Sequence, residues 1–311
     1  MRLTCALAAS RIAFMPIAVT PQAEICYETI GDPADPAVVL IMGLGGQMIA
    51  WDDEFCGLLA ARNLFVIRFD NRDAGLSTCF DDADLDLSAA FGAAMAGQPI
   101  DVPYTLSDMA GDTRALMDHL HIDRAHLVGV SMGGMIAQTL AAESPDRVTS
   151  LTSIMSSTGA RAVGQPSPEA LAALFDRPPN DRAAAIEASV RAQKVIGSQT
   201  HFDEERARRS AAAAFDRAFN PEGTGRQLAA IYSAGNRSAQ IAGIAAPTLV
   251  IHGEQDSLIH VSGGHHTAEV VPDARLLILD EMGHDLPPPL WDRLIDELTA
   301  HIREAETRIS D

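Results

Sequence analysis

The stretch GVSMGG, from Gly129 to Gly134, closes the apolar run HLVGV (His126 to Val130) and opens the helical pattern MGGMIAQTLAAESPDRV, which Pro145 ends. A serine between glycines at a strand-to-helix turn has two readings. It is a small residue in a tight turn, or a hydroxyl pushed into the open by a sharp bend. The spacing G-x-S-x-G, met by Gly129, Ser131 and Gly133, favours the second, because side chains two residues either side of the serine would collide there. The Met132 N–H, at the helix start, then points toward the same space and can stabilise an oxyanion. A serine hydroxyl is a poor nucleophile without a base, so the rest of the chain has to decide.

Around this turn, short β-branched runs alternate with amphipathic segments, the pattern of an α/β fold with a mostly parallel sheet covered by helices. Expected strands begin at Ile25, Ala37, Leu64, His126, Leu151, Pro247 and Arg275. TLSDMAGDTRALMDHL places Leu106, Met109, Thr113, Leu116, Met117 and Leu120 on one helical face, with Thr105 and Asp108 as a capping box. WDRLIDELTAHI, from Trp291, reads as the closing helix. From residue 159 to 243 the alternation stops, and only Ala- and Arg-rich helical stretches remain, with Ser167 as an N-cap before Pro168. The expected organisation is therefore a core of residues 1–158 and 244–311 with a helical lid, 159–243, inserted between two strands. Residues 81–103 read as a second, irregular stretch.

At 311 residues the chain can bury a large core. Its formal charge of −19, from 23 basic and 42 acidic side chains, excludes the basic face that nucleic-acid binding requires and disfavours strongly anionic substrates. Cys5, Cys26, Cys56 and Cys79 have neither metal-ligand spacing nor scaffold density, so free thiols in a cytoplasmic protein are expected. The N-terminal MRLTCALAASRIAFMPIAV is only faintly signal-like, because Arg11 interrupts it; Met15 is an alternative start. No window is long and apolar enough for a membrane span. The composition leaves a homodimer open.

Of the ten histidines, His119, His121 and His301 lie on or beside helices, and His201, His265 and His266 lie in polar segments, where surface positions explain them. His126 and His252 sit at strand ends as packed or locally bonded residues. His260, His265 and His266 lack the carboxylate or cysteine that would complete a metal site, and no metal is expected. His284 differs: it follows RLLILDEMG in a glycine-marked loop just past a strand end, from which it can reach the sheet edge that carries Ser131. A carboxylate to orient that imidazole is offered by HGEQD, as Glu254 or Asp256. VVLIMGLGGQMIAW runs a strand into a glycine loop in which Gly43, Gly45 and Gly46 permit close backbone approach, and the Leu44 N–H is the expected second oxyanion donor. The spacing of these glycines fits neither a dinucleotide fingerprint nor a P-loop.

Taken together, IMGLGGQMIAWDDEF, VIRFDNRDAGLST, VGVSMGGMIAQTLA, TLVIHGEQD and EMGHDLPPPLWDRL resemble the lidded bacterial α/β-hydrolases similar to aclacinomycin methylesterase. The resemblance covers most of the chain outside the lid. It implies the α/β-hydrolase fold with a sheet of about eight strands. It also implies Ser131 as nucleophile, Asp256 rather than Glu254 as acid, His284 as base, and Leu44 and Met132 as backbone donors. The chain departs from its relatives at Met42, where many carry histidine, and at Asp73, which replaces a glycine. Asp70, Arg72 and Asp73 are expected to form a structural ion-pair and turn network. The expected activity is that of a serine carboxylic-ester hydrolase acting on a small neutral or apolar ester, without metal or organic cofactor. Gly43, Gly45, Met48, Trp51 and Met135 are expected in the substrate pocket, with Met132 also a candidate for its wall, whereas for Met155 core packing is the preferred reading. Lactonase, carbon–carbon hydrolase and perhydrolase chemistry would use the same residues. A non-catalytic small-ligand receptor would need only the pocket and lid.

Overall fold

Strands β3 (Ala37–Ile41), β4 (Phe65–Phe69), β5 (Ala125–Val130), β6 (Val148–Ile154) and β7 (Thr248–Gly253) are almost wholly buried. That is the signature of strands covered on both faces, and it explains their near-continuous apolar runs. A computed structural model describes residues 15–83, 85–176 and 179–310. These five strands and β8 (Arg275–Leu279) pair in parallel, while β2 (Glu24–Ile30) joins β4 antiparallel and β1 (Ile17–Val19) joins β2 antiparallel. The eight-stranded order is β1-β2-β4-β3-β5-β6-β7-β8.

Alternate residues of each strand feed two cores. Val38, Leu40, Val66, Val128, Leu249 and Ile251 pack with α1 (Asp53–Ala60) and the closing helix α11 (Trp291–Ser310). Val39, Ile41, Ile67, Leu127 and Leu151 pack on the other face with α3 (Leu106–His119) and α4 (Met132–Glu143). The Thr105–Asp108 capping box is present at the start of α3.

Between β6 and β7 the chain is helical: α5 (Pro168–Phe175), α6 (Arg182–Ile196), α7 (Glu204–Arg217), α8 (Pro221–Ala234), α9 (Ser238–Ile241). The Ser167 hydroxyl caps α5, accepting from the Ala170 N–H at 3.1 Å. A short α10 (Ser262–Val270) follows β7.

Three details correct the sequence reading. Residues 81–103 are not all irregular: α2 (Leu87–Met95) lies within them, capped by the Asp86 carboxylate. LSAAFGAAM has no charged residue, so it shows no polar face from which a helical period is read. Ile17–Val19 form an edge strand, too short at three residues to alternate visibly. His301 is buried rather than superficial, with its Nε2 3.2 Å from the Leu151 carbonyl, and burial pushes its pKa down to about 4. Expectations placed on residues 1–14, Cys5 among them, lie outside the described residues. Cys26, Cys56 and Cys79 are free thiols, and burial in α1 raises Cys56 to about 12. No helix among the described residues is long and apolar enough to cross a membrane.

Candidate active site

Ser131 follows β5 directly and precedes α4, with φ 54° and ψ −120°. Such a backbone costs on the order of 1–3 kcal/mol and survives only where the surroundings hold it. They do: the Ser131 N–H donates to Ile154 O at 2.9 Å, and Ser131 O accepts from the Gly134 N–H at 2.9 Å and the Ser156 hydroxyl at 2.8 Å. The flanking glycines are obligatory. A Cβ on Gly129 would lie 2.2 Å from Gly133 O, and one on Gly133 would lie 2.0 Å from Ile41 O.

His284 stands past the end of β8 and Asp256 past the end of β7. The Ser131 Oγ lies 2.9 Å from His284 Nε2, and His284 Nδ1 lies 2.7 Å from Asp256 Oδ2. An ionised carboxylate only accepts, so Nδ1 carries the hydrogen and Nε2 is free to accept from the serine. Asp256 Oδ1 accepts from the Leu258 and Ile259 N–H groups at 2.9 and 2.8 Å. Burial favours the protonated acid, but the His284 charge and the hydrogen bonds from His252 and His284 outweigh it. Asp256 is thereby held well below the usual carboxylate range. Glu254 is exposed and its carboxylate takes no part. His252, buried at the end of β7, approaches Asp256 from another side at 3.4 Å and donates through Nε2 to Ile259 O at 2.7 Å.

The glycine loop lies directly over the serine: a Cβ on Gly43 would be 3.2 Å from the Ser131 Cβ. Its shape is fixed by two bonds, Gly46 N–H to Gly43 O at 3.1 Å and Gly45 N–H to Gln227 Oε1 at 2.8 Å. Among the described residues, neither the Leu44 N–H nor the Met132 N–H has a hydrogen-bond partner, so both donors are available.

A cavity of about 680 Å³ opens on Ser131 and His284. Gly43, Leu44, Gly45, Trp51 and Met155 line it, together with residues of α5, α6 and α7. Met48 and Met135 do not, which corrects their expected place in the pocket. Met48 is fully buried beneath the loop, its N–H held by Asp70 at 2.7 Å, and Met135 faces the core between α4 and the sheet. The Met132 side chain likewise packs in the core and does not line the cavity.

Asp70, Arg72 and Asp73 of the FDNRDAG loop do lie in a buried ion-pair network, but with partners that sequence reading did not identify. Asp70 accepts from Arg217 at 2.7 Å, and Asp73 is bonded by Arg226 at 2.7 and 2.9 Å and by the Tyr104 hydroxyl at 2.6 Å. Gln227 donates to Arg72 O at 2.7 Å, and Arg72 itself pairs with Asp112 at 2.6 Å. Arg217, Arg226 and Gln227 belong to or end α7 and α8, so two buried ion pairs fasten the helices to the core. Asp73, Cys79 and Asp81 lie close enough to share a metal among the described residues. However, both Asp73 oxygens are already committed to Arg226 and Tyr104.

Burial opposes ionisation of Asp73, yet Arg226, Tyr104 and the Phe80 amide lower its pKa below the usual carboxylate value. A depressed folded-state pKa gives stability that is present above the unfolded value of about 3.9 and is lost as pH falls through the folded one. Arg226→Leu, which strands a buried carboxylate, is expected to cost about 3–5 kcal/mol in urea unfolding at pH 7. The deficit against wild type should shrink in acid, as Asp73 takes up a proton. A loss below about 1 kcal/mol would show that the pair anchors nothing.

Residues 36–287 match the family described as alpha/beta hydrolase fold, and the chain belongs to it. Among its relatives is the rhodomycin D methylesterase DauP of Streptomyces sp. (strain C5), 29% identical, with 89% of this chain and 94% of that protein aligned. The enol-lactonase of Burkholderia xenovorans LB400 has a similar fold, with a TM-score of 0.69 at 24% identity over 94% of this chain and 100% of that one. So does a meta-cleavage product hydrolase of Pseudomonas fluorescens IP01, with a TM-score of 0.73 at 20% identity over 93% and 98% of the two chains.

Proposed function

We propose that this protein is a serine carboxylic-ester hydrolase. The observation that carries the reading is the hydrogen-bonded chain Ser131–His284–Asp256, whose serine and imidazole line the cavity. His284 takes the hydroxyl proton as Ser131 attacks the ester carbonyl, and the resulting oxyanion is stabilised by the Leu44 and Met132 N–H groups. The alcohol leaves with the proton from His284. Water, activated by the same imidazole, then releases the acid from the acyl-enzyme.

The cavity supports an ester larger than the sequence suggested. About 680 Å³ lies in the range of pockets that enclose drug-sized ligands. Apolar Leu44, Ile49, Trp51, Phe55, Leu174 and Trp291 on its walls favour a bulky apolar acyl group. The likeness to a methylesterase supports a small alcohol as the leaving group. Residues 159–243 act as the lid, since α5, α6 and α7 contribute cavity wall. The free thiols support a cytoplasmic setting.

A fluorophosphonate probe is expected to label Ser131, and aryl esters to be hydrolysed at a rate that climbs between about pH 5 and 8. Asp256 is held below the usual carboxylate range, so it is already ionised at pH 5 and contributes nothing to that climb. Peptide mapping that finds no label on Ser131, or a flat rate over this range, would refute the reading.

A further inference from the structure

The segment 195–201, which links α6 to α7, grips both loops that carry the acid and the base. The His284 N–H donates to Ile196 O at 2.8 Å. The Gly283 N–H donates to Ser198 Oγ at 2.8 Å. The Ser198 N–H donates to Asp285 Oδ1 at 2.9 Å, and the Ser198 hydroxyl donates to the same oxygen. Three consecutive residues centred on the imidazole are thus each tied to the turn 196–198. On the acid side, Gln255 Oε1 accepts from the Gln199 N–H at 2.9 Å and the Ser257 hydroxyl donates to Val195 O at 3.0 Å; these two residues flank Asp256.

The fit leaves no slack. A Cβ on Gly283 would lie 2.4 Å from the Gly197 carbonyl carbon, and Ser198 is wholly buried. Residues 283–285 belong to neither helix nor strand, so no regular hydrogen-bond ladder holds them. At the same time, Gln193, Val195 and Ile196 line the cavity, so whatever fills it presses on the same end of α6.

The geometry points to Ser198 as a positioning residue for His284, with the 195–201 turn holding the imidazole in line between Ser131 and Asp256. This rests on the reading of Ser131 as a nucleophile. The lid is then part of the frame of the base, and a ligand seated against α6 acts on the alignment of the imidazole. A misplacement of about 1 Å at a reacting group costs on the order of 10²-fold in rate.

Two measurements test this on purified full-length protein. The first is the rate of fluorophosphonate labelling, with kcat and KM on an aryl ester. The second is the downfield proton resonance of the Nδ1–H between His284 and Asp256, which reads alignment without turnover. Ser198→Ala is expected to slow labelling and lower kcat roughly 10- to 100-fold with KM unchanged, and to broaden or abolish the resonance. Asp285→Ala should reproduce the loss, whereas Asp285→Asn, which keeps an acceptor oxygen for Ser198, should retain most of the rate. The Asp285 pair also serves if Ser198→Ala does not fold. Wild-type labelling and an unaltered resonance in Ser198→Ala would overturn the proposal, as would a loss confined to KM. An unlabelled wild type would instead refute the nucleophile, while the resonance would still test the positioning.

Discussion

Ser131→Ala is expected to abolish turnover while leaving the protein folded, a loss of roughly 10⁶-fold in kcat. The oxygen is the only atom removed. Alanine keeps the Cβ that already fits against Gly43, and the bonds that hold the bend, Ser131 N–H to Ile154 O and Ser131 O from the Gly134 N–H and the Ser156 hydroxyl, do not involve the Ser131 side chain. What remains is a cavity with its two backbone donors and an imidazole with nothing to deprotonate. Some residual rate over water is expected from those donors alone. Steady-state assay of the variant, with circular dichroism to establish folding, decides the matter. Turnover within tenfold of wild type would require a different nucleophile.

Asp256→Asn is expected to lower kcat by about 10⁴-fold, and the neighbours of the carboxylate say why. The Leu258 and Ile259 N–H groups both donate to Oδ1, so an asparagine places its carbonyl oxygen there. Its NH₂ then falls where Oδ2 faces His284. An NH₂ only donates, so Nδ1 has to accept, and the ring hydrogen moves to Nε2. An imidazole protonated at Nε2 cannot take the serine proton. KM should change little, because the carboxylate is buried behind the imidazole and does not line the cavity. A variant retaining more than a tenth of the wild-type kcat would mean that the carboxylate does not set the tautomer.

The residues brought together at this site were legible because each announces itself locally. Ser131, Asp256 and His284 all follow an apolar strand run at a glycine-marked turn, and three such turns at one edge of a parallel sheet meet in space. Choosing between Glu254 and Asp256 needed the family resemblance; the structure gives the reason, since only Asp256 turns inward to the Leu258 and Ile259 amides. Met48 and Met135 were misplaced because an apolar side chain near a site carries no mark of which side of the backbone it faces. The ties of Asp70 to Arg217 and of Asp73 to Arg226 were illegible for another reason. They span 147 and 153 residues, and nothing near either partner reveals the other. Helix α2 escaped because it lacks a polar face.

The substitution at position 73 bears on whether the helical segment of this protein can be exchanged for that of a relative. Where a relative has glycine in this loop, its own helices have no reason to present a cation there. Grafted onto this core, they would leave Asp73 as a negative charge in the dry interior, bonded only by the Tyr104 hydroxyl and a backbone amide. Such a chimera should fold only if Arg226 travels with the graft, or if Asp73 is exchanged for the relative's glycine. Modular as the insertion looks along the chain, its unit of inheritance includes a loop some 150 residues upstream.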